Sequence, residues 1–295
     1  MSQRSVGVHA LVWVGSWGED QARFAMRGAR DAGYNRIEIP LLLWDMRPEM
    51  TRGLLGENDL AMTGNLFLTA DTDITSDDPD IVAAGEKRLL DGIEIVASLG
   101  GDYMCGTVYS MLGKYTHPAT EQGRASAADV LRRIADRAAE SGITLGLELC
   151  NRYETNLLNT ATQALDMIDV IDRPNVAVHL DTYHMGIEET DMVAPVLTCG
   201  DRLGYVHIGE SHRGYLGTGN VDFTGFFRAL AHIGYAGPVT FESFSSVVVA
   251  PELSNALCIW RVPWEDSVDL ATKARRFIQT HLDDAEMQAS MASRG

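Results

Sequence analysis

Four strand-like segments in the second half of the chain each end in a residue that can bind a divalent cation. The segments span residues 145–148, 177–181, 204–207 and 239–242, and they end in Glu148, Asp181, His207 and Glu242. They follow one another at intervals of about 26 to 35 residues, roughly the length of one strand-and-helix repeat. If they are neighbouring parallel strands of a barrel, their carboxyl ends converge on one point. The spacing therefore predicts a metal site at the mouth of an α/β barrel.

Strand-like and helical segments alternate along the whole sequence, with no change of composition that would separate two domains. In the first half, strands are predicted over residues 6–13, 35–40, 60–68 and 103–109, and helices over 21–32, 81–99 and 125–140. The stretch that contains Pro48 and two glycines is predicted to be poorly helical. In the second half, helices are predicted near residues 160–171, 189–197, 223–232 and 267–281.

Eight strand–helix units of this kind predict an α/β fold, a single (β/α)8 TIM barrel. The barrel is expected to form one domain over residues 1–295. The segment from about residue 284 is rich in Met, Ala and Ser and is expected to be a flexible tail.

The charge of the chain argues against a nucleic-acid partner. It has 24 basic and 41 acidic residues, a formal net charge of −17, whereas nucleic-acid binding normally demands a basic face. No run of 18 apolar residues is present, so no membrane span is predicted, and the first residues contain no signal-peptide core. The four cysteines are scattered without a CxxC pair, which is typical of reduced, mostly buried thiols. We therefore expect a cytoplasmic protein.

The four terminal residues are expected to point into the barrel. Alternate residues of a strand face the same side, which pairs each candidate ligand with the residue two positions before it. The inner pairs are Gly146 and Glu148, His179 and Asp181, Tyr205 and His207, and Thr240 and Glu242. Burying three carboxylates together without a cation would cost several kcal/mol each. His179 is interpreted as a core residue with satisfied polar atoms, with the alternative that it orients a metal ligand.

Sequence motifs around these residues resemble those of the ketose 3-epimerases, in the xylose-isomerase-like barrel superfamily. The motifs are ELCNRYE at residues 148–154, NLLN at 156–159, HLDTYHM at 179–185, YVHIGESHRG at 205–214, LGTG at 216–219 and FESF at 241–244. The resemblance is continuous from about residue 143 to 245 and looser over residues 1–140. It points to the group of D-tagatose, D-allulose (psicose) and L-ribulose 3-epimerases and leaves open which ketose is preferred.

The resemblance implies a complete active site, because this sequence has the family's residue at every position concerned. It implies one divalent metal ion per chain, usually manganese, with cobalt or magnesium able to substitute, held by Glu148, Asp181, His207 and Glu242. It also implies that the oxygens at the first three carbons of an open-chain ketose are bound by Glu154, His184 and Arg213.

The residue types fit epimerisation at carbon 3 of a free ketose. A proton next to a carbonyl is removed from one face and returned on the other, through an enediolate that a cation would stabilise. Two carboxylates on opposite sides of the sugar, Glu148 and Glu242, would act as base and acid and exchange roles with the direction of the reaction. They are predicted to be both metal ligands and catalytic residues.

Other functions of the same barrel stay open. A sugar isomerase, a hydroxypyruvate-type isomerase or an inosose dehydratase could use similar ligands, and a non-catalytic sugar-binding barrel is a further alternative. The presence of both Glu148 and Glu242 favours an enzyme. The segment 245–265 is long and contains apolar runs, which predicts a subunit contact in a homodimer or homotetramer or, alternatively, a lid.

Overall fold

Eight parallel strands pair in chain order and close on themselves, so the predicted (β/α)8 barrel is confirmed. The computed structural model describes residues 4–41 and 46–292. The strands are β1 (Val6–His9), β2 (Arg36–Pro40), β3 (Ala61–Asn65), β4 (Tyr103–Cys105), β5 (Thr144–Glu148), β6 (Val176–Asp181), β7 (Leu203–Ile208) and β8 (Val239–Phe241). Closure is made by β1, which pairs with both β2 and β8.

Helices follow the strands and surround the barrel. They are α1 (Glu19–Asp31), α2 (Pro48–Asn58), α3 (Pro79–Leu99), α4 (Glu121–Ala139), α5 (Ala161–Ile171), α6 (Thr182–Glu188), α7 (Ala194–Cys199), α8 (Phe223–His232), α9 (Pro251–Ala256) and α10 (Ser267–Ala292). Within the described ranges, no helix is both long and apolar enough to cross a membrane.

Several elements of the first half differ from the prediction. Strand β1 stops at His9 rather than near residue 13, because the His9 side chain accepts the backbone N–H of Leu11 and the chain turns into a short 3-10 helix. Strands β3 and β4 are also shorter than predicted. The stretch expected to be poorly helical forms α2, and Pro48 occupies its first turn, where a missing N–H breaks no helical hydrogen bond.

The second half differs in its helices. Two helices, α6 and α7, replace the one predicted near residues 189–197. Asp181 ends β6 and caps α6 by accepting the backbone N–H of Tyr183 at 2.6 Å, so strand and helix join without a loop. Helix α10 continues to Ala292 instead of ending near residue 281, and residues 293–295 lie outside the described part. The expected flexibility from about residue 284 stays a prediction.

The strands separate an apolar outer face from a polar inner face. Leu147, Val178, Val206 and Phe241 are fully buried in the main hydrophobic cluster, which joins the barrel to its helical layer. Three of the four free cysteines are also buried, as predicted, and the fourth is exposed; in chain order they are Cys105, Cys150, Cys199 and Cys258. The polar residues that alternate with these apolar ones along the strands therefore face the barrel interior.

Inside the barrel, aromatic rings fill the layer below the candidate ligands. Tyr103 and Tyr205 stack with their ring centroids 4.8 Å apart, and the two hydroxyls of Tyr205 and Thr240 are hydrogen-bonded at 2.6 Å. Gly146 leaves room for these rings, because a methyl group in its place would overlap the hydroxyl and ring of Tyr103. This layer closes the barrel beneath the candidate site.

Replacing Gly146 by alanine is expected to lower the free energy of unfolding by about 1–3 kcal/mol, because the added methyl group collides with Tyr103. Gly53→Ala on α2 is the matched control. A methyl group at Gly53 meets nothing within 4 Å, and alanine favours the helix, so this variant is expected to be neutral or more stable. Urea unfolding curves measure both variants, and equal destabilisation of the two would contradict the packing of Tyr103.

Candidate active site

The structure brings the four predicted ligands together at the carboxyl ends of β5 to β8. Each offers one ligand atom, these atoms lie within 4.8 Å of one another, and all four residues are buried. His207 Nδ1 lies 3.0 Å from Glu148 Oε1, 3.7 Å from Asp181 Oδ2 and 3.5 Å from Glu242 Oε1. The ring nitrogen therefore faces three carboxylates across a small gap.

The cluster fits a divalent cation. Oδ2 of Asp181 is buried and has no hydrogen-bond partner among the described residues, although Oδ1 of the same carboxylate caps α6. A buried carboxylate oxygen without a donor costs about 1–3 kcal/mol or more, and a cation would remove that cost. Three carboxylates and one imidazole are donors that suit ions such as manganese, cobalt or magnesium.

Burial and charge give the carboxylates different affinities for protons. Burial raises the pKa of Glu242 to about 8, against the charges of His207 and Arg213, and the carboxylates of Glu148 and Asp181 contribute to the rise. Burial acts on Asp181 in the same direction, but the positive charge of Arg213 and the contact with His207 outweigh it, and the pKa of Asp181 lies well below its ordinary value. The two carboxylates therefore differ in proton affinity, Glu242 being shifted toward its protonated form and Asp181 toward its ionised form.

His207 supplies positive charge at the centre of the metal-free cluster. Burial would lower the pKa of its imidazole, but the carboxylates of Glu38, Glu242 and Glu148 outweigh burial and raise that pKa well above 6.5. Its Nδ1 contacts Glu148 and its Nε2 contacts Glu38, so both ring nitrogens face a carboxylate. A cation in the cluster would replace the proton on Nδ1.

The three residues expected to bind substrate lie on segments that follow the strands. Glu154 comes after β5, His184 lies on α6, and Arg213 comes after β7. Arg213 Nη1 donates to Glu242 Oε2 at 2.6 Å, and its guanidinium lies 3.8 Å from the centroid of the Tyr183 ring. The candidate substrate residues and the candidate metal ligands thus meet in one place.

The tautomer of His184 follows from its contacts with Asn151. The backbone N–H and the side-chain amide of Asn151 both lie within hydrogen-bond distance of His184 Nδ1, at 3.2 and 2.9 Å. Because Nδ1 accepts, Nε2 carries the proton, and it lies 4.0 Å from Glu154 Oε2 and 3.8 Å from Asp181 Oδ2. His184 therefore presents a donor to the site, while Glu154 presents an acceptor.

A cleft opens above the cluster and has two chemically different parts. Its polar part contains Glu148, Glu154, His184, Arg213 and Glu242. Its remaining wall is largely apolar and includes Leu11, Phe67, Leu112, Phe244, Leu253 and Leu257. Such a cleft suits a small molecule with oxygen atoms concentrated at one end.

Sequence reasoning missed Glu38, which is fully buried on β2 and contacts His207. The alternation in β2 could have revealed Glu38 as an inward-facing residue, because Arg36 and Glu38 share one face and Ile37 and Ile39 share the other. His179 behaves as a core residue, because its ring packs edge-on against His207 with centroids 4.2 Å apart. Neither of its ring nitrogens has a hydrogen-bond partner within the described residues, so the expectation that its polar atoms are satisfied is wrong.

Comparison with known proteins gives the class and then the family. A family model described as "Xylose isomerase-like TIM barrel" matches residues 26–281, which is the class that the fold and the site define. An L-ribulose 3-epimerase from Methylomonas sp. (strain DH-1) is 54% identical over 274 residues, covering 92% of this chain and 96% of that protein. A ketose 3-epimerase from Arthrobacter globiformis is 48% identical, covering 94% of this chain and 96% of that protein.

A solved structure gives the same relationship. The crystal structure of a D-allulose 3-epimerase from Methylomonas sp. in complex with D-allulose has a TM-score of 0.93 to this chain. The sequence identity is 53%, and the match covers 95% of this chain and 98% of that chain. The chain belongs to the ketose 3-epimerase family of the xylose isomerase-like TIM barrels, as its sequence motifs indicated.

Manganese is expected to raise the melting temperature of the chelator-treated protein, because a ligand that binds only the folded state stabilises it. The gain is about 2.7 kcal/mol at a free metal concentration 100 times Kd, which corresponds to a shift of several degrees. Thermal unfolding followed by circular dichroism measures the shift.

Asp181→Asn is the control for this experiment, since asparagine also caps helices but lacks the charge that a cation requires. We expect the shift with manganese to be lost in that variant. Equal melting temperatures of the wild-type protein with manganese and with chelator would contradict a metal site.

Proposed function

We propose that this protein epimerises free ketoses at carbon 3 with the help of one divalent metal ion, manganese in preference to cobalt or magnesium. The observation that carries the proposal is the convergence of Glu148, Asp181, His207 and Glu242 beneath a cleft. The buried Oδ2 of Asp181, which has no hydrogen-bond partner among the described residues, supports a bound cation. The names of the relatives, L-ribulose 3-epimerase and ketose 3-epimerase, support the reaction.

The cleft suits free ketoses of more than one configuration, the L-ribulose and D-allulose types among them. Its polar part has donors and acceptors for the oxygens at carbons 1 to 3, whereas its apolar wall has few groups that would distinguish the rest of the sugar. Leu112, Leu253 and Phe244 make no demand for a particular hydroxyl configuration. We therefore propose that ketoses of five and six carbons both enter.

The reaction needs two proton-transfer groups on either side of carbon 3. Glu148 and Glu242 both line the cleft and come from β5 and from the end of β8. One carboxylate takes the proton from one face of the sugar, and the other carboxylic acid returns a proton to the opposite face. When bound, a divalent cation would polarise the substrate carbonyl and lower the energy of the negative charge that develops on it. The two glutamates exchange roles when the direction reverses.

The other polar residues decide which carbon meets these glutamates. Arg213 holds Glu242 through the 2.6 Å hydrogen bond and leaves the rest of its guanidinium for substrate oxygens. His184 offers its Nε2 proton, and Glu154 accepts from a hydroxyl group. Contacts of this kind align the substrate before proton transfer, which is where much of the rate gain of such an enzyme originates.

Replacing either glutamate by glutamine is expected to slow epimerisation by at least about 100-fold, because the amide cannot accept the proton of carbon 3. The variants are Glu148→Gln and Glu242→Gln, assayed by NMR on D-allulose and L-ribulose in deuterium oxide at saturating manganese. The wild-type protein is expected to place deuterium at carbon 3 of the product.

The matched control is Glu189→Gln, which changes a half-buried glutamate outside the cleft that accepts the backbone N–H of Ala161. Its rate is expected to equal that of the wild type. Bound manganese is measured in each sample, so that loss of a base is distinguished from loss of the metal. A near-wild-type rate in either Glu148→Gln or Glu242→Gln would remove that residue from the proton-transfer role.

We further propose that the protein is a homodimer or homotetramer. The segment 245–265 carries exposed apolar side chains, namely Val247, Trp260 and Val262, and Trp260 is 73% exposed. Large exposed apolar side chains that cluster in one segment are typical of a contact surface. Another part of the segment, α9 with Leu253, packs beside the cleft, so a contact here would also support the wall of the site.

Sedimentation equilibrium is expected to give a mass of two or four chains for the wild-type protein. Trp260→Ser is expected to weaken the association, because it removes the largest exposed apolar side chain of the segment. Phe24→Ser, which changes a half-exposed aromatic residue on α1, is the control and is expected to leave the mass unchanged. A monomeric wild-type protein would contradict this proposal.

A further inference from the structure

Glu38 lies beneath the candidate metal site on the far side of His207. Its side chain is fully buried on the inner face of β2. Its two carboxylate oxygens lie 2.9 and 3.0 Å from His207 Nε2. The other ring nitrogen, Nδ1, points the opposite way, toward the carboxylates of the site. Glu38 therefore contacts the one part of His207 that a cation would not touch.

The groups around Glu38 are hydrogen-bond donors. Asn65 Nδ2 donates to Glu38 Oε1 at 2.8 Å. His9 Nδ1 accepts the backbone N–H of Leu11, so the proton of a neutral His9 ring is on Nε2, which lies 3.7 Å from the same carboxylate oxygen. An ionised carboxylate only accepts hydrogen bonds, so it matches these donors. A neutral amide in its place would turn an NH2 group toward one of them. The contact with His207 is favourable only when His207 Nε2 carries a proton.

We propose that Glu38 is a positioning residue that fixes the tautomer and the orientation of His207, so that Nδ1 presents its lone pair to the metal ion. This inference rests on the proposed metal site. A ring with its proton on Nδ1 would have no lone pair for a cation, and a ring free to rotate would lose affinity for it. A carboxylate on the distant nitrogen of a ligand imidazole also makes that ligand more basic.

The carboxylates of the candidate metal site are not placed to do this. Glu148, Asp181 and Glu242 all approach from the Nδ1 side. His179 packs against the ring, and its own nitrogens have no hydrogen-bond partner within the described residues. Glu38, on β2, is thus the carboxylate that contacts the Nε2 side of the candidate ligand ring.

The test compares the manganese affinity of the wild type, Glu38→Gln and Asp73→Asn by titration calorimetry without substrate. Glu38→Gln keeps the shape of the side chain but places an NH2 group among donors, and we expect Kd to rise about 10- to 100-fold. Asp73→Asn is the control, because Asp73 is a buried carboxylate held by Thr75 and Tyr115 away from the site. Its Kd is expected to stay within about twofold of the wild-type value, because a substitution away from the site changes none of the contacts of the metal ligands.

Cobalt gives a readout that a general loss of stability would not change. At saturating cobalt, we expect the visible absorption bands of Glu38→Gln to differ in position from those of the wild type, because the imidazole ligand is oriented differently. Unchanged Kd values or unchanged band positions would overturn the role of Glu38 and leave the proposed function intact. Failure of the wild type to bind manganese would instead overturn the metal site itself, and the inference with it.

A measurement on the wild type decides the question if Glu38→Gln does not fold. In the magnesium-loaded protein labelled with 15N-histidine, we expect the His207 signals to show a protonated Nε2 and an Nδ1 without a proton. His207→Gln identifies those signals by their disappearance. A ring with an unprotonated Nε2 would overturn the proposal.

Discussion

The cost of burying several carboxylates together at one end of the barrel is the constraint on which the site depends. Glu148, Asp181 and Glu242 lie around the imidazole of His207, and Glu38 lies on its far side. Each buried charge needs a partner, because an unpaired one costs several kcal/mol. His207 offsets part of the negative charge, yet one oxygen of Asp181 still has no donor among the described residues. A divalent cation would complete this balance.

Strands and the segments that follow them hold different parts of the candidate site, which would let one barrel both bind a cation and select a substrate. The candidate ligands lie at the ends of strands whose partners on both sides are fixed by the closed sheet. The substrate residues lie on segments beyond the strands, where local contacts hold them. Arg213 adopts a left-handed backbone conformation (φ 59°), its N–H donates to the carbonyl of Glu210, and its side chain rests on Tyr183. Changes in these segments can alter the substrate while the metal site is kept.

Much of the fold and the candidate ligands could be predicted from the sequence, because both follow from short-range periodicity. The alternation of residues along each strand predicts that Glu148 and Asp181 lie on inner faces. The regular spacing of the strands predicts that their carboxyl ends meet at one end of the barrel. Contacts between distant strands have no such signal. Glu38 is separated from His207 by most of the barrel in sequence, and only its alternation with apolar neighbours marks it. The early end of β1 depends likewise on a side-chain hydrogen bond of His9 that spacing does not reveal.

Anomalous diffraction from crystals soaked in manganese is the most direct measurement of the central claim. The account predicts one peak per chain between the ends of β5, β6, β7 and β8, within bonding distance of Glu148, Asp181, His207 Nδ1 and Glu242. An empty position in fully soaked crystals, or a peak whose ligands do not include these residues, would contradict it.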